Sequence, residues 1–198
     1  VQLNFDNAGI IDHTMKNNLE TESNTRISGQ QVKFGTGSIY FDGTSDVIKM
    51  PNDGQFTFGT GDFTIEMFVY AVKTTEQALY DGRSANGAYP YLLIQNFTNK
   101  FIYYTNTQQE ITANDTVPLN QWVHLALVRY SGTTKMYVNG VAQTDTYTDS
   151  TNYLEAPVHI GQNQPSGGDN FEGYLDEYRV TKGVARYNSN FTAPTKAF

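Results

Sequence analysis

Residues 62–70 alternate: Phe63, Ile65, Met67 and Val69 fall on one side of an extended strand, and Thr64, Glu66, Phe68 and Tyr70 on the other. The first set is uniformly apolar and the second mixed, which predicts a strand with one greasy face and one mixed face. Residues 122–130 are apolar on both faces until Arg129, the pattern of a central strand covered on each side. Ser131-Gly132-Thr133-Thr134 then leads into a strand at 135–138. Asn139-Gly140 supplies the two positive-φ positions of a type I′ hairpin and returns the chain into Val141-Ala142. Three consecutive antiparallel strands are predicted here.

Runs of Tyr, Phe, Val, Ile and Thr between Gly, Asn and Asp predict further strands at residues 3–5, 38–41, 47–50, 78–80, 91–95, 101–105, 158–160 and 173–180. Short strands at this spacing, without a long stretch of helical period between them, favour an all-β, two-sheet antiparallel sandwich. The most polar stretch, residues 12–31, reads as a long loop or an extra hairpin, and residues 183–187 as a helical turn or two. No linker or internal repeat divides the chain, so residues 1–198 are expected to form one domain.

Composition sharpens this picture. Fourteen Tyr and twelve Phe against a single Trp supply core and surface aromatics in a chain without Cys, which removes disulfides, thiolate metal sites and Cys nucleophiles together. Twenty acidic against thirteen basic residues leave a net charge of −7, which repels nucleic-acid phosphates and polyanions. No apolar run is long enough for a membrane-inserted span. The start lacks the signature of a signal peptide and also lacks Met, which suggests a processed product or a piece of a longer polypeptide.

The order of motifs carries a resemblance. Lys33-Phe34-Gly35-Thr36-Gly37-Ser38-Ile39-Tyr40-Phe41-Asp42-Gly43-Thr44-Ser45-Asp46, then Phe58-Gly59-Thr60-Gly61-Asp62-Phe63-Thr64-Ile65-Glu66, Gln121-Trp122-Val123-His124, Met136-Tyr137-Val138-Asn139-Gly140 and Gly173-Tyr174-Leu175-Asp176-Glu177-Tyr178-Arg179-Val180 resemble laminin G-like, concanavalin A-like domains. The resemblance implies two stacked sheets in a jelly roll. Thr181-Lys182-Gly183-Val184-Ala185-Arg186-Tyr187 and Asn190-Phe191-Thr192-Ala193-Pro194-Thr195 look like the version found in bacteriophage virion and tail proteins, although that version usually has Trp where Phe68 stands. This implies a virion-surface or extracellular location. Because the fold hosts many activities, function has to be read from residues.

A glycosidase needs two carboxylates about 5–5.5 Å or about 6.5–9.5 Å apart. The superfamily's hydrolases carry a Glu-x-Asp-x-x-Glu run on one strand, whereas here Glu66 is followed on its face by Phe68 and Tyr70. Asp176 and Glu177 point to opposite faces, and His13, His124 and His159 lack metal-ligand spacing. No enzymatic activity is expected, and His124 reads as a packed core histidine. The resemblance implies a structural calcium held by Asp6, the carbonyl of Gly43 and Asp176. Pairing of Asp176 with Arg179, or its acceptance of turn hydrogen bonds, is the alternative. For glycan contacts, aromatic faces and hydroxyl-binding groups come together in Tyr80, Arg83, Tyr91, Gln95, Tyr103 and Tyr104. The expected role is a non-catalytic binding module of a virion surface or tail-fibre protein contacting host cell-surface carbohydrate. A structural or decoration domain touching only other virion proteins is the alternative, and homo-oligomerisation is left open, since no heptad pattern marks it.

Overall fold

The computed structural model describes residues 1–3, 10–52, 54–83, 90–105, 108–154, 156–164 and 166–198. Two antiparallel sheets stack face to face. The first runs β13 (Val141–Thr148), β12 (Thr133–Val138), β11 (Trp122–Tyr130), β6 (Phe63–Ala71), β15 (Glu172–Lys182), β4 (Ser38–Asp42) and β3 (Arg26–Ser28), with β1 (Gln2–Leu3) also paired to β15. The second runs β10 (Gln108–Thr112), β9 (Phe101–Thr105), β8 (Pro90–Ile94), β7 (Gln77–Asp81), β14 (Val158–Ile160), β5 (Val47–Met50) and β2 (Glu20–Glu22).

The alternation predicted for β6 holds: Phe63, Ile65, Met67 and Val69 face the inter-sheet core. Val123, Leu125 and Leu127 of β11 join them, opposed by Leu92 and Ile94 of β8 and Phe101 of β9. Each such side chain contributes about 1.5–3 kcal/mol on burial. The Asn139-Gly140 turn has φ of 50° and 81°, as a type I′ hairpin requires. Gly140 is also needed for space, since a Cβ there would lie 2.0 Å from the Phe191 carbonyl oxygen.

Two local expectations are corrected. Residues 12–31 are loop over 12–19 but not throughout, and form no hairpin: β2 pairs with β5 in the second sheet, and β3 pairs with β4 in the first. Their polar sequences suit sheet edges, where only one side of the strand needs pairing. Ser23, at φ 63°, turns the chain between them, and the Asn24 amide donates to Asp46 at 2.7 Å. Residues 183–187 are not helical. The Thr64 hydroxyl donates to the Val184 carbonyl and accepts from the Arg186 amide, both at 3.0 Å, so β6 captures the backbone groups that a helix would have used. Among the described residues no helix is long and apolar enough to cross a membrane.

From there the C-terminal segment lies across the outer face of the first sheet. Phe191 donates its amide to the Gly140 carbonyl, and Asn190 accepts from the Ala142 amide. Tyr187 stacks on Phe191 with ring centroids 3.5 Å apart, and both rings pack against Tyr137 and His124.

Candidate functional site

The outer face of the second sheet gathers four of the six residues expected to touch a glycan. In β8, Leu92 and Ile94 point into the core, so Tyr91 and Leu93 point out; in β9, Phe101 and Tyr103 point in, so Ile102 and Tyr104 point out. Arg83 follows β7 and lays its guanidinium 3.5 Å over the Tyr91 ring. It is fixed there by Asp81, which accepts Nε at 2.9 Å and Nη2 at 2.8 Å, a planar two-point pair. Burial opposes the charge on Arg83, but Asp81 more than offsets it and raises the guanidinium pKa. Tyr104 tilts against Tyr91 at 6.3 Å, and its hydroxyl donates to Gln109 at 3.0 Å. Gln95 closes this edge, its amide donating to Gln109 at 3.3 Å and lying 3.4 Å from the Tyr104 hydroxyl.

Three further residues complete the site from outside this stretch. Asp169 accepts the Tyr91 hydroxyl at 2.9 Å and the Asn163 amide at 2.7 Å. Burial and the Asp169 carboxylate together push the Tyr91 pKa up, so the phenol stays neutral. Glu76, Arg83, Tyr91, Leu93, Tyr104, Asn163 and Asp169 line an open depression of about 270 Å³. The 161–170 loop reaches it because β14 inserts beside β7, and the Gln164 amide donates to Asp81 at 2.9 Å. Asp169 and Asn163 stand some eighty residues from Arg83 in sequence, and nothing in their Asn- and Gly-rich loop marks them beyond its turn composition. Tyr91 is nearly fully buried beneath Arg83, so it positions the guanidinium while Arg83, Tyr104, Asn163, Asp169 and Glu76 face the space.

Tyr80 and Tyr103 are placed elsewhere. A bulge between Ala78 and Tyr80 shifts the alternation of β7, so Ala78 lies on the outer face and Tyr80 in the core, where burial raises its pKa. Tyr103 points inward, and its hydroxyl bonds to that of Tyr153, which donates to Asp149 at 2.9 Å. Neither ring is accessible to a ligand.

Of the implied calcium ligands, Gly43 and Asp176 do not converge. Asp6 lies outside the described residues. Gly43 sits against Glu172, whose Cβ would be 3.0 Å from a Cβ at Gly43. Asp176 stands four residues further along β15, roughly 13 Å away at strand rise, whereas ligands of one calcium lie within about 5 Å of each other. Both oxygens of Asp176 are engaged: Oδ2 accepts the Lys33 and Phe34 amides at 2.9 and 3.1 Å, and Oδ1 that of Glu177 at 2.8 Å. Burial nevertheless raises its pKa to about 6. Arg179, the alternative partner, pairs instead with Glu66 at 2.7 Å. No group of three or more His, Asp or Glu side chains suited to a metal occurs among the described residues.

Glu66, on the strand where a hydrolase would carry its acids, is fully buried. It accepts from Arg179 at 2.9 Å and from the Tyr187 hydroxyl at 2.8 Å, with His124 Nε2 at 3.4 Å. Burial works against its charge, but His124, Arg179 and Tyr187 prevail and hold its pKa below the usual carboxylate value. A carboxylate so enclosed by its own chain supports the outer face of the first sheet.

A family model described as the concanavalin A-like lectin/glucanases superfamily matches residues 42–186. Among solved structures, domain 4 of AbnA, a GH43 extracellular arabinanase from Geobacillus stearothermophilus, in complex with arabinotriose, is 18% identical, with a TM-score of 0.75 over 93% of this chain and 92% of that one. The botulinum neurotoxin serotype D binding domain is 11% identical, with a TM-score of 0.69 over 93% of this chain and 48% of that one. The binding domain of botulinum neurotoxin DC in complex with SialylT is 13% identical, with a TM-score of 0.67 over 92% and 48%. The chain thus spans about half the length of the neurotoxin binding domains. At these identities the likeness establishes the fold. No curated protein sequence matches the chain.

Proposed function

Because the chain belongs to the concanavalin A-like lectin/glucanase superfamily, we propose that it is a non-catalytic carbohydrate-binding module whose ligand occupies the depression on the outer face of the second sheet. One observation carries this reading: Arg83, Tyr104, Asn163, Asp169 and Glu76 converge on one open depression, with Arg83 held rigid by Asp81 and Tyr91. An aromatic face for the C–H side of a sugar stands beside a guanidinium, an amide and carboxylates for its hydroxyls. Ligand complexes of structural neighbours, with arabinotriose and with SialylT, support a glycan as the ligand class. The enclosure of Glu66 supports binding without hydrolysis. The phage-like C-terminal motifs support a place on a virion surface, contacting host carbohydrate.

Glycan-array binding of the wild type, Tyr104→Ala and Asn163→Ala, with folding checked by thermal melts, tests the proposal. Each variant is expected to melt like the wild type and to lose about tenfold in affinity, equivalent to about 1.4 kcal/mol. Unchanged binding in both would move the site elsewhere, and no binding by the folded wild type would favour a structural domain that contacts only other proteins. A melt with a calcium chelator tests the implied ion separately: an unchanged midpoint is expected from the separation of Asp176 and Gly43, and a lowered midpoint would restore a calcium site.

A further inference from the structure

A cavity of about 350 Å³ lies on the other sheet, where β1, the end of β15 and residues 14–17 and 55–56 meet. Its charge is opposite to that of the chain. Lys16, Arg179, Lys182 and Arg186 all line it, in a protein of net charge −7. Glu66, buried beneath, is the carboxylate facing this group, and it is already committed to Arg179, with Arg186 Nε at 3.6 Å. Asp12, beside the same wall, is turned to donors of its own: the amides of Gln2, Thr14 and Asn17 and the side chains of Thr14 and Asn17. Lys182 makes one hydrogen bond, to the Gly54 carbonyl at 3.2 Å, and neither it nor Lys16 has a carboxylate within 4 Å among the described residues.

Four cations set against two carboxylates, Glu66 and Asp12, in a concave site walled by protein, leave a net positive potential that the acidic remainder of the surface cannot supply. Neutral polar groups accompany the charge. Thr14 and Thr181 line the cavity, and so does Asn17, whose Oδ1 is buried without a hydrogen-bond partner and can accept from a ligand hydroxyl. The volume falls in the range of small-ligand sites, about 300–1,000 Å³. We propose that this cavity binds a saccharide through its carboxylate, with Lys16 and Lys182 as the charge-bearing contacts. The depression on the second sheet sets Glu76 and Asp169 against Arg83 and lacks this excess of cations, so the two sites differ in the sugar they accept. The proposal stands independently of the reading of the second sheet.

Titration of the purified chain with methyl α-N-acetylneuraminate, glucuronate, methyl galactoside and inorganic phosphate, followed by amide chemical shifts, tests it. The two acidic sugars are expected to shift Asn17, Thr181 and Lys182 saturably, and methyl galactoside to leave them in place. Lys16→Gln/Lys182→Gln, two surface changes expected to leave the melt unaltered, should weaken acidic-sugar binding at least ~10-fold. Equal response to neutral and acidic sugars, or full binding by the double variant, would overturn the site. Phosphate binding here more tightly than either acidic sugar would overturn the saccharide assignment and leave a free-oxyanion site.

Discussion

The outer faces of the two sheets are built from similar materials and meet different fates. On the first sheet, Glu66, Phe68, His124 and Arg179 are covered by the chain's own aromatics: Phe34 packs edge-on to Phe68 at 5.3 Å, Tyr187 and Phe191 lie over His124, and the Phe198 ring sits 3.6 Å from the Arg179 guanidinium. On the second, Arg83 and Tyr91 form a comparable pairing of guanidinium and ring, with Tyr104 tilted against Tyr91, yet no segment among the described residues closes over the depression they line. A face rich in aromatics and charges is a docking surface in both cases; what differs is whether the partner is in the same chain. Where it is, Glu66 and His124 are fully buried and their removal should cost stability. Where it is not, removal should cost binding.

This contrast can be broken in four places. Glu66→Ala removes the buried carboxylate that pairs with Arg179 and accepts from the Tyr187 hydroxyl, and breaking a pair whose carboxylate is buried in this way costs about 3–5 kcal/mol. The thermal midpoint should fall on the order of 10 °C for a chain of this length. Gly140→Ala places a Cβ against the Phe191 carbonyl at a φ of 81° and should uncouple the C-terminal segment. A loss of about 2 kcal/mol or more is expected in denaturant unfolding.

Asp176 gives a pH signature. Its folded pKa of about 6 lies above the ordinary 3.8, so its folded form holds the proton more tightly than the unfolded chain. Its contribution is therefore fully present below about pH 4, is lost as pH rises towards about 6, and is level above that. The difference in unfolding free energy between wild type and Asp176→Asn should change by about 2–3 kcal/mol across that window. A difference that is flat with pH would show that folding leaves the carboxyl's pKa at its ordinary value. Tyr104→Ala, on the open face, should change stability least, within about 0.5 kcal/mol.

The fold was legible where one physical requirement dominates. Alternation over residues 63–69 marked the core face of β6, and Asn139-Gly140 marked the turn from β12 to β13, because a buried face and a pair of positive φ angles each restrict the residue types allowed. The polar stretch at residues 12–31 was not, because an edge strand such as Glu20–Glu22, exposed at every position, leaves no alternation to read. The site was legible in part. Arg83, Tyr91, Gln95 and Tyr104 lie near one another along adjacent strands, so proximity in sequence became proximity in space. Tyr80 was misplaced by a bulge that no local pattern announces. Tyr103 was misplaced because in a strand apolar on both sides, such as Phe101–Thr105, either parity fits. Asp169 and Asn163 join through sheet order, which depends on the pairing of β14 with β7 and not on anything in their own segment.

Amide chemical-shift mapping with a neutral oligosaccharide, arabinotriose as first probe, tests most directly whether the open face of the second sheet is the glycan site. Saturable shifts confined to Arg83, Tyr104, Asn163 and Asp169, with His124, Tyr187 and Phe191 unmoved, are the predicted result. Shifts centred on His124, Tyr187 and Phe191 would show that the covered face opens to ligand, and would contradict the division between the two faces.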